Sequence, residues 1–496
     1  MNNKGRITVF LCMLISAMLL IGITAINVIN IFAAKEKTAI AARSSVSGIK
    51  ADYNSYIFEH YHILLFDKNC DGKGEAMLEE KMMSDLEYNL GDGFVVNDVA
   101  VTDYTMLQEN DCQALKEQIR DYMKYAAVEY GVDTILESTD GKDGTIEPEV
   151  LEDMDNATEG GDMTMDEGDD SAVSEENEES ENQTSDRNEE PDSASDDNSG
   201  NSLFVEDPRD FTEDMSDSVL LSIVVPEDVK VSGEVVDLSE VPSLREFSLL
   251  SEIYKANDSF DDYDDLKTDL KMHDSWKDKL IDAGAGVTYA RNVFNCATNQ
   301  EVNSDAVFGC EIEYLIAGRD SDKENLETVV RRLLLVRLPV NYSYLISDAA
   351  KMSQIRAISV PLSFIVVIPE PILTYLIAGC WSYVEAMADV HGLLEGKRIP
   401  FVKDSTSWIT DLNDLENSVS DECTEDERGL CYEDYLMILM ALNMDKVYYR
   451  MLDIMELNVR QQQSQFQIEN AAVHISVDFD VSYDGRTFCI HEAGGY

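Results

Sequence analysis

The apolar positions along the chain change period several times, and each change predicts an element. From Ile7 to Ala34 they form one run, ITVFLCMLISAMLLIGITAINVINIFAA, without a charge and with only Ser16, Thr24, Asn27 and Asn30 clearly polar. At about 1.5 Å per residue, a helix of this length exceeds the roughly 20 residues that cross a bilayer. Beyond it, Ile40, Val46, Ile49, Tyr53, Ile57 and Leu64 recur at close to every third or fourth position among Lys35, Glu36, Arg43, Lys50 and Asp52. That spacing predicts that the helix leaves the bilayer as an amphipathic stem.

A small mixed unit follows, with a strand over Phe94–Val101 and a helix near Gln113–Tyr130. Further on, short β segments are expected at Val219–Val225 and Val229–Val236, then a helix over Leu244–Tyr254. Cys310–Ala317 alternates Ile312, Tyr314 and Ile316 with Glu311, Glu313 and Leu315, the pattern of a half-buried strand ended by Gly318. Ser321 and Glu324 have the spacing of a capping box, so a helix should begin near Asp322 and run toward Leu338. Pro339 should stop or kink it before a second helix over Tyr344–Ala357.

The apolar zone Val360–Ala388 is broken by Pro361, Pro369, Glu370 and Pro371, and neither half spans a membrane before a break. It reads as a buried helical hairpin at about 355–395, with a re-entrant or membrane-lying segment as the alternative. Asp434–Gln462 has helical spacing, and Val473, Ile475, Val477, Phe479, Val481 and Tyr483 alternate as a terminal strand. The fold class is therefore α+β.

Charge divides the chain further. Of 98 acidic residues in 496, 31 lie between Glu137 and Asp217, against only Lys142, Arg187 and Arg209. With Phe204 and Phe211 its only aromatics, this stretch buries too little apolar area to offset its ordering entropy, and it reads as a disordered, self-repelling spacer. The formal net charge of -60 argues against nucleic acid or an anionic lipid surface as a partner of the folded part. The expected organisation is an anchor at 1–34, a helical stem with a small α+β unit at 35–135, an acidic spacer at 136–218, and a C-terminal α+β domain at 219–496.

Lys4 and Arg6 before the apolar run, and Ala33 and Ala34 at its end, also suit a signal peptide, but an h-region is typically only about 7–15 residues long, which favours an uncleaved anchor. Basic residues flank both ends, so their count does not orient the span. Signal-anchor logic and the large acidic remainder place most of the chain outside the cytoplasm, on a single-pass cell-membrane anchor.

Candidate chemistry is sparse. Asp67, Asn69, Asp71 and Gly72 match the opening of a calcium loop, but position twelve is Leu78 and Glu79 falls one residue late, so an ordinary turn is the expectation. Cys296 with Cys310, and Cys423 with Cys431, bracket loops that a disulfide could close in an oxidising compartment. The nine cysteines contain no Cys-x-x-Cys pair, and the six histidines are scattered. Ser47 and Lys50 have Ser-x-x-Lys spacing, on an exposed stem where the match is chance. No hydrolase or phosphate-loop motif is present, so no catalytic, cofactor or metal residue is assigned and the chain is read as a non-enzyme.

Several segments together carry a resemblance. They are KGRITVFL, YNSYIFEHYHILLFD, CEIEYLIAGRDSDKENLETVVRRLLLVRLPVNYSYLISD, WSYVEAMADVHGLLEGKRIPFVKDSTSW and GLCYEDYLMILM. These resemble an uncharacterised clostridial family, domain of unknown function 5702, whose members look like TadE/TadG-like components of tight-adherence (Tad, Flp-type) pilus or related secretion loci. The resemblance implies a structural or assembly role with other pilus or secretion-apparatus membrane proteins as partners. It carries over no functional residue. The chain departs from standard type IV pilins, because Phe10 stands where a pilin places Glu after Gly5. The other function to weigh is a surface adhesin or ligand-binding module held out on the acidic spacer.

Overall fold

A computed structural model describes residues 3–70, 72–129, 217–226, 229–246, 276–419, 425–426 and 428–496. Most of the acidic spacer, from residue 136 to 216, lies outside the described residues.

The first half of the described chain comprises α1 (Asn3–Ala51), α2 (Ser55–Tyr61), β1 (Phe66–Asp67), α3 (Ala76–Leu90), β2 (Phe94–Met106) and α4 (Glu109–Glu129). After the spacer come α5 (Asp217–Val224), α6 (Pro242–Glu246), α7 (Trp276–Val293), α8 (Glu311–Ala317), α9 (Asp322–Ser347), α10 (Ala349–Val366) and α11 (Glu370–Leu394). The chain closes with α12 (Leu415–Ser418), α13 (Tyr432–Ala441), α14 (Met444–Arg460), β3 (Ala471–Tyr483) and β4 (Arg486–Gly495).

All strand pairs are antiparallel, and β3 is central: β2 lies along one edge, while β1 and β4 share the other. The sheet therefore joins residues from before and after the spacer. The alternation read at Val473–Tyr483 is real, with Ile475, Val477, Phe479 and Val481 facing a core shared with α3 and the stem half of α1. A second strand, β4, follows the two-residue turn Asp484–Gly485, in which both residues have positive φ. This is the geometry that Asp-Gly favours because it matches the strand twist. β2 runs to Met106, past the expected end at Val101, with register shifts along its length.

The stem forms, with Val46 and Ile49 buried as expected, but the rest of its buried face is made of small residues. Ala34, Thr38, Ala41, Ala42, Ser45, Val46 and Ile49 are its buried residues, and Ile40 is exposed. Small side chains on this stripe let the helix lie close on the sheet, and the larger apolar positions alone do not reveal it. α1 stops at Ala51; Asn54 then caps α2 by accepting from the Ile57 N–H, so Ile57 belongs to a new helix.

Several expected elements are corrected. The segment expected as a strand at Val219–Val225 is helical up to Val224, within α5, with Leu220, Leu221 and Val224 buried at helical spacing. Val229–Val236 is extended but joins no sheet; its backbone pairs instead with Asp320 and Lys323. Of Leu244–Tyr254, only the first residues are described, in α6. Cys310–Ala317 is the helix α8 and not a strand. Its alternation misleads because Glu311 and Glu313, the apparent solvent face, are fully buried acceptors. Ser321 does cap α9, accepting from the Glu324 N–H at 3.4 Å. The helix continues through Pro339 to Ser347, where Asp348 ends it and caps α10 by accepting from the Ala350 and Lys351 N–H groups. Helical Asp434–Gln462 divides into α13 and α14, and the latter is buried on almost every side.

The hairpin expected at about 355–395 is α10 and α11, which turn through 118° at their break. One face is buried along its length, including Leu362, Leu373 and Ile377, while the other is exposed near the turn. From Trp381 onward α11 lies in the main helical core, whereas Val360, Phe364, Ile365, Val367, Ile372, Tyr375 and Leu376 are exposed.

Candidate functional site

Three places gather chemistry or unusual surface. The first is a buried charge network where α9, α10, α11 and α13 meet the loop after α11. Glu385 and Asp389, one turn apart, project inward with Trp381 from α11, while α9 supplies Arg337 and Asn341. Arg337 donates from Nε and Nη2 to Asp389 Oδ2 at 3.0 and 2.7 Å, and from Nη1 to the Phe401 carbonyl at 2.7 Å. Asn341 donates to the same carboxylate oxygen at 2.8 Å. Lys403 Nζ lies 2.7 Å from Glu385 Oε1 and 2.6 Å from Asp389 Oδ1. Glu385 also accepts from the Ile409 and Thr410 N–H groups and the Thr410 hydroxyl. Above it, Trp381 and Trp408 meet edge to face at 5.4 Å, with Lys351 over both rings.

Burial opposes the charge on Asp389, but Arg337 and Lys403 outweigh it and hold its carboxyl below the usual aspartate range. Burial likewise opposes the Lys403 charge, and Asp389 with Glu385 keeps its pKa above the ordinary lysine value. Two cations and two carboxylates thus neutralise one another without reaching solvent. Such a set fixes a loop on a helix pair and offers no group to a substrate. Spacing alone did not find it. The available signal was a pair of acids at i and i+4 inside an apolar helix, where an unpartnered charge is too costly to bury.

The second place is a group of buried carboxylates around α8. Glu311 accepts from the Asn295 N–H at 2.8 Å and from Asn458 Nδ2 at 3.1 Å. Glu313 accepts from the Ala297 N–H at 2.9 Å and the Tyr432 hydroxyl at 2.8 Å. Asp453 accepts from Tyr314 and the Ser243 N–H, each at 2.8 Å. Burial pushes these groups up, Glu311 to about 8, Glu313 to about 7 and Asp453 to about 6. Glu311 and Glu313 pin the loop after α7 onto α8, α13 and α14, and Asp453 ties α6 to α8.

Of the residues singled out in the sequence, Cys296 and Cys310 border the second group and none belongs to the first. Asp67 Oδ1 accepts from the Asn69 N–H at 2.9 Å and Gly72 has φ +79°, which is an Asx turn; Asp71 lies outside the described residues. Among the described residues, no cluster of His, Cys, Asp and Glu could hold a metal ion. Cys296 and Cys310 are unbridged and buried, with Cys296 beside the Thr298 hydroxyl at 3.4 Å. Cys431 donates to Asp434 at 3.1 Å, and Cys423 lies outside the described residues. Ser47 is exposed, and Lys50 is engaged with the Gly495 carbonyl at 3.1 Å. A shallow polar cleft of about 370 Å³ lies beside the charge network, lined by Asp404, Thr406, Ser407, Asp426 and Arg428 among others.

The third place is α1. Its N-terminal part, from Val9 to Ala33, is exposed almost throughout, and the helix is long and apolar enough to cross a membrane. Its stem is clamped to β4 by an Arg43–Glu492 ion pair at 3.0 Å and the Lys50–Gly495 contact, and to the end of α3 by Lys37 donating to the Leu90 carbonyl at 2.6 Å. Gly494 admits this approach, since a Cβ there would sit 2.7 Å from Val46 Cγ1.

The model of a family of unknown function (DUF5702) matches residues 198–483, more than half of the chain. The chain belongs to that family. The family match takes in α5 through β3, and with them both buried polar groups, but not the anchor, the stem or β2. The N-terminal segments that contributed to the resemblance fall outside it. No curated protein matches the chain, and no solved structure does.

Proposed function

We propose that this chain is a membrane-anchored, non-enzymatic structural or assembly component of a Tad-like pilus or related secretion apparatus, with most of its mass outside the cytoplasm. The observation that carries the reading is α1. One continuous helix has an apolar half exposed among the described residues and a stem half laid on a terminal antiparallel sheet. This is the build of a pilin-like subunit, whose apolar half rests in the bilayer and can later pack against sister helices. The self-neutralised charge network supports a structural role for the body, since its groups serve one another and the backbone.

Deleting the gene in its host and inspecting the envelope tests the reading. Loss of a surface filament or secretion complex, restored by the full chain, is expected. A normal apparatus with all its components present would refute it.

A further inference from the structure

Among the described residues outside the anchor, the tip of the α10–α11 hairpin gathers several exposed large apolar side chains. Phe364, Ile365 and Val367 at the turn are 83%, 70% and 87% exposed, and Val360, Ile372, Tyr375 and Leu376 extend the patch down both helices. An exposed patch of this kind marks an interaction surface. Between Arg356 and Glu385 the only charged residue is Glu370. The polar side chains near the tip are already satisfied within the hairpin. Ser363 donates to the Val360 carbonyl at 2.8 Å, Thr374 to the Glu370 carbonyl at 2.9 Å, and Ser359 pairs with Thr374 at 2.8 Å. These bonds lower the cost of placing the three hydroxyls in apolar surroundings, and Glu370, the one charge, accepts from the Thr374 hydroxyl at 3.2 Å. Tyr375 presents an amphipathic ring suited to the membrane–water boundary, and exposed Arg356 stands behind the tip where headgroups would lie.

The apolar, nearly uncharged face points to lipid as the occupant: we infer that the 360–376 tip dips into the outer part of a bilayer, giving the body a monotopic attachment besides the α1 anchor. This rests on the membrane-anchored reading of α1. The exposed part of each helix, before the body buries it, is too short to cross, so the tip enters and returns. The body is then held at two points and cannot swing freely about the stem.

The test uses the full chain reconstituted in phosphatidylcholine vesicles, with a photoreactive benzoylphenylalanine placed in turn at Val367, at Ile21 in the anchor, and at Tyr88, an exposed residue of α3. Both Val367 and Tyr88 are at the surface, so the label disturbs no core. Phospholipid adducts at 367 and 21, severalfold above those at 88, are expected. Adducts at 21 but not at 367 would overturn the tip insertion while leaving the anchor intact. Adducts at neither would remove the anchor itself and the inference with it. A covalent dimer formed from 367 would identify a second copy as the occupant and would overturn the lipid assignment.

Discussion

Replacing Asp389 with Ala isolates the role of the buried charge network. Asp389 Oδ2 receives three hydrogen bonds, two from Arg337 and one from Asn341, and Oδ1 faces Lys403. Removing the carboxylate leaves two buried cations against Glu385 alone, and the guanidinium loses its main acceptor. Each hydrogen bond to a charged group is worth about 1.5–3 kcal/mol, and breaking one side of a buried ion pair costs about 3–5 kcal/mol, so we expect D389A to lose about 3–5 kcal/mol. Against a domain stability of about 5–15 kcal/mol, this is a large fraction of the total. Urea unfolding of the detergent-solubilised chain, followed by tryptophan emission, reads it directly because Trp381 and Trp408 flank the network. The double variant R337M/D389L removes one cation with one anion, so it should cost clearly less than the sum of the single variants. A D389A loss below about 1 kcal/mol, or additive single and double variants, would refute the idea that these groups act as one buried neutral set.

Three further expectations follow from the same geometry. Gly494→Leu should push α1 off the sheet, because its side chain would meet Val46, and proteolysis of the linker around Asp52 should accelerate while the helical body stays folded; an unchanged cleavage rate would contradict the docking. Glu313 has its pKa raised in the folded state, so its contribution is fully present below the unfolded value and is lost as pH rises through about 7; Glu313→Gln should remove on the order of 3 kcal/mol of that loss between pH 4 and 8, seen as a flatter pH–stability curve than the parent. Parallel curves would show that Glu313 is not buried as described. Under native conditions a maleimide should label exposed Cys489 and spare Cys296 and Cys310, whose thiols are buried, with Cys296 pushed up to about 12 by that burial; rapid modification of either buried thiol would contradict the packing.

Much of the architecture was legible wherever one period dominated. The apolar helix, the β3 alternation and the Ser321 cap each rest on a local rule that the fold leaves intact. Reading failed where a buried polar group imitated a solvent face, as Glu311 and Glu313 did in α8. It also failed where small residues formed the contact stripe, as Ala41, Ala42 and Ser45 do in the stem. The β4 strand was missed although Asp484–Gly485 is a strong hairpin signal, because the chain around it is polar and lies at the sheet edge. Arg337 and Lys403 could not be matched to Asp389 and Glu385 without the fold, since their partners lie far apart in sequence.

In-cell photocrosslinking from the free face of α1, at Ile29 and Phe32, tests the assembly role most directly. These positions are exposed, whereas Ile49 on the stem is buried against the sheet. The account predicts capture of pilus or secretion-apparatus membrane proteins, or of sister α1 helices within a sheared surface filament. Adducts with bulk lipid alone, at both positions and under conditions where the apparatus is made, would contradict it.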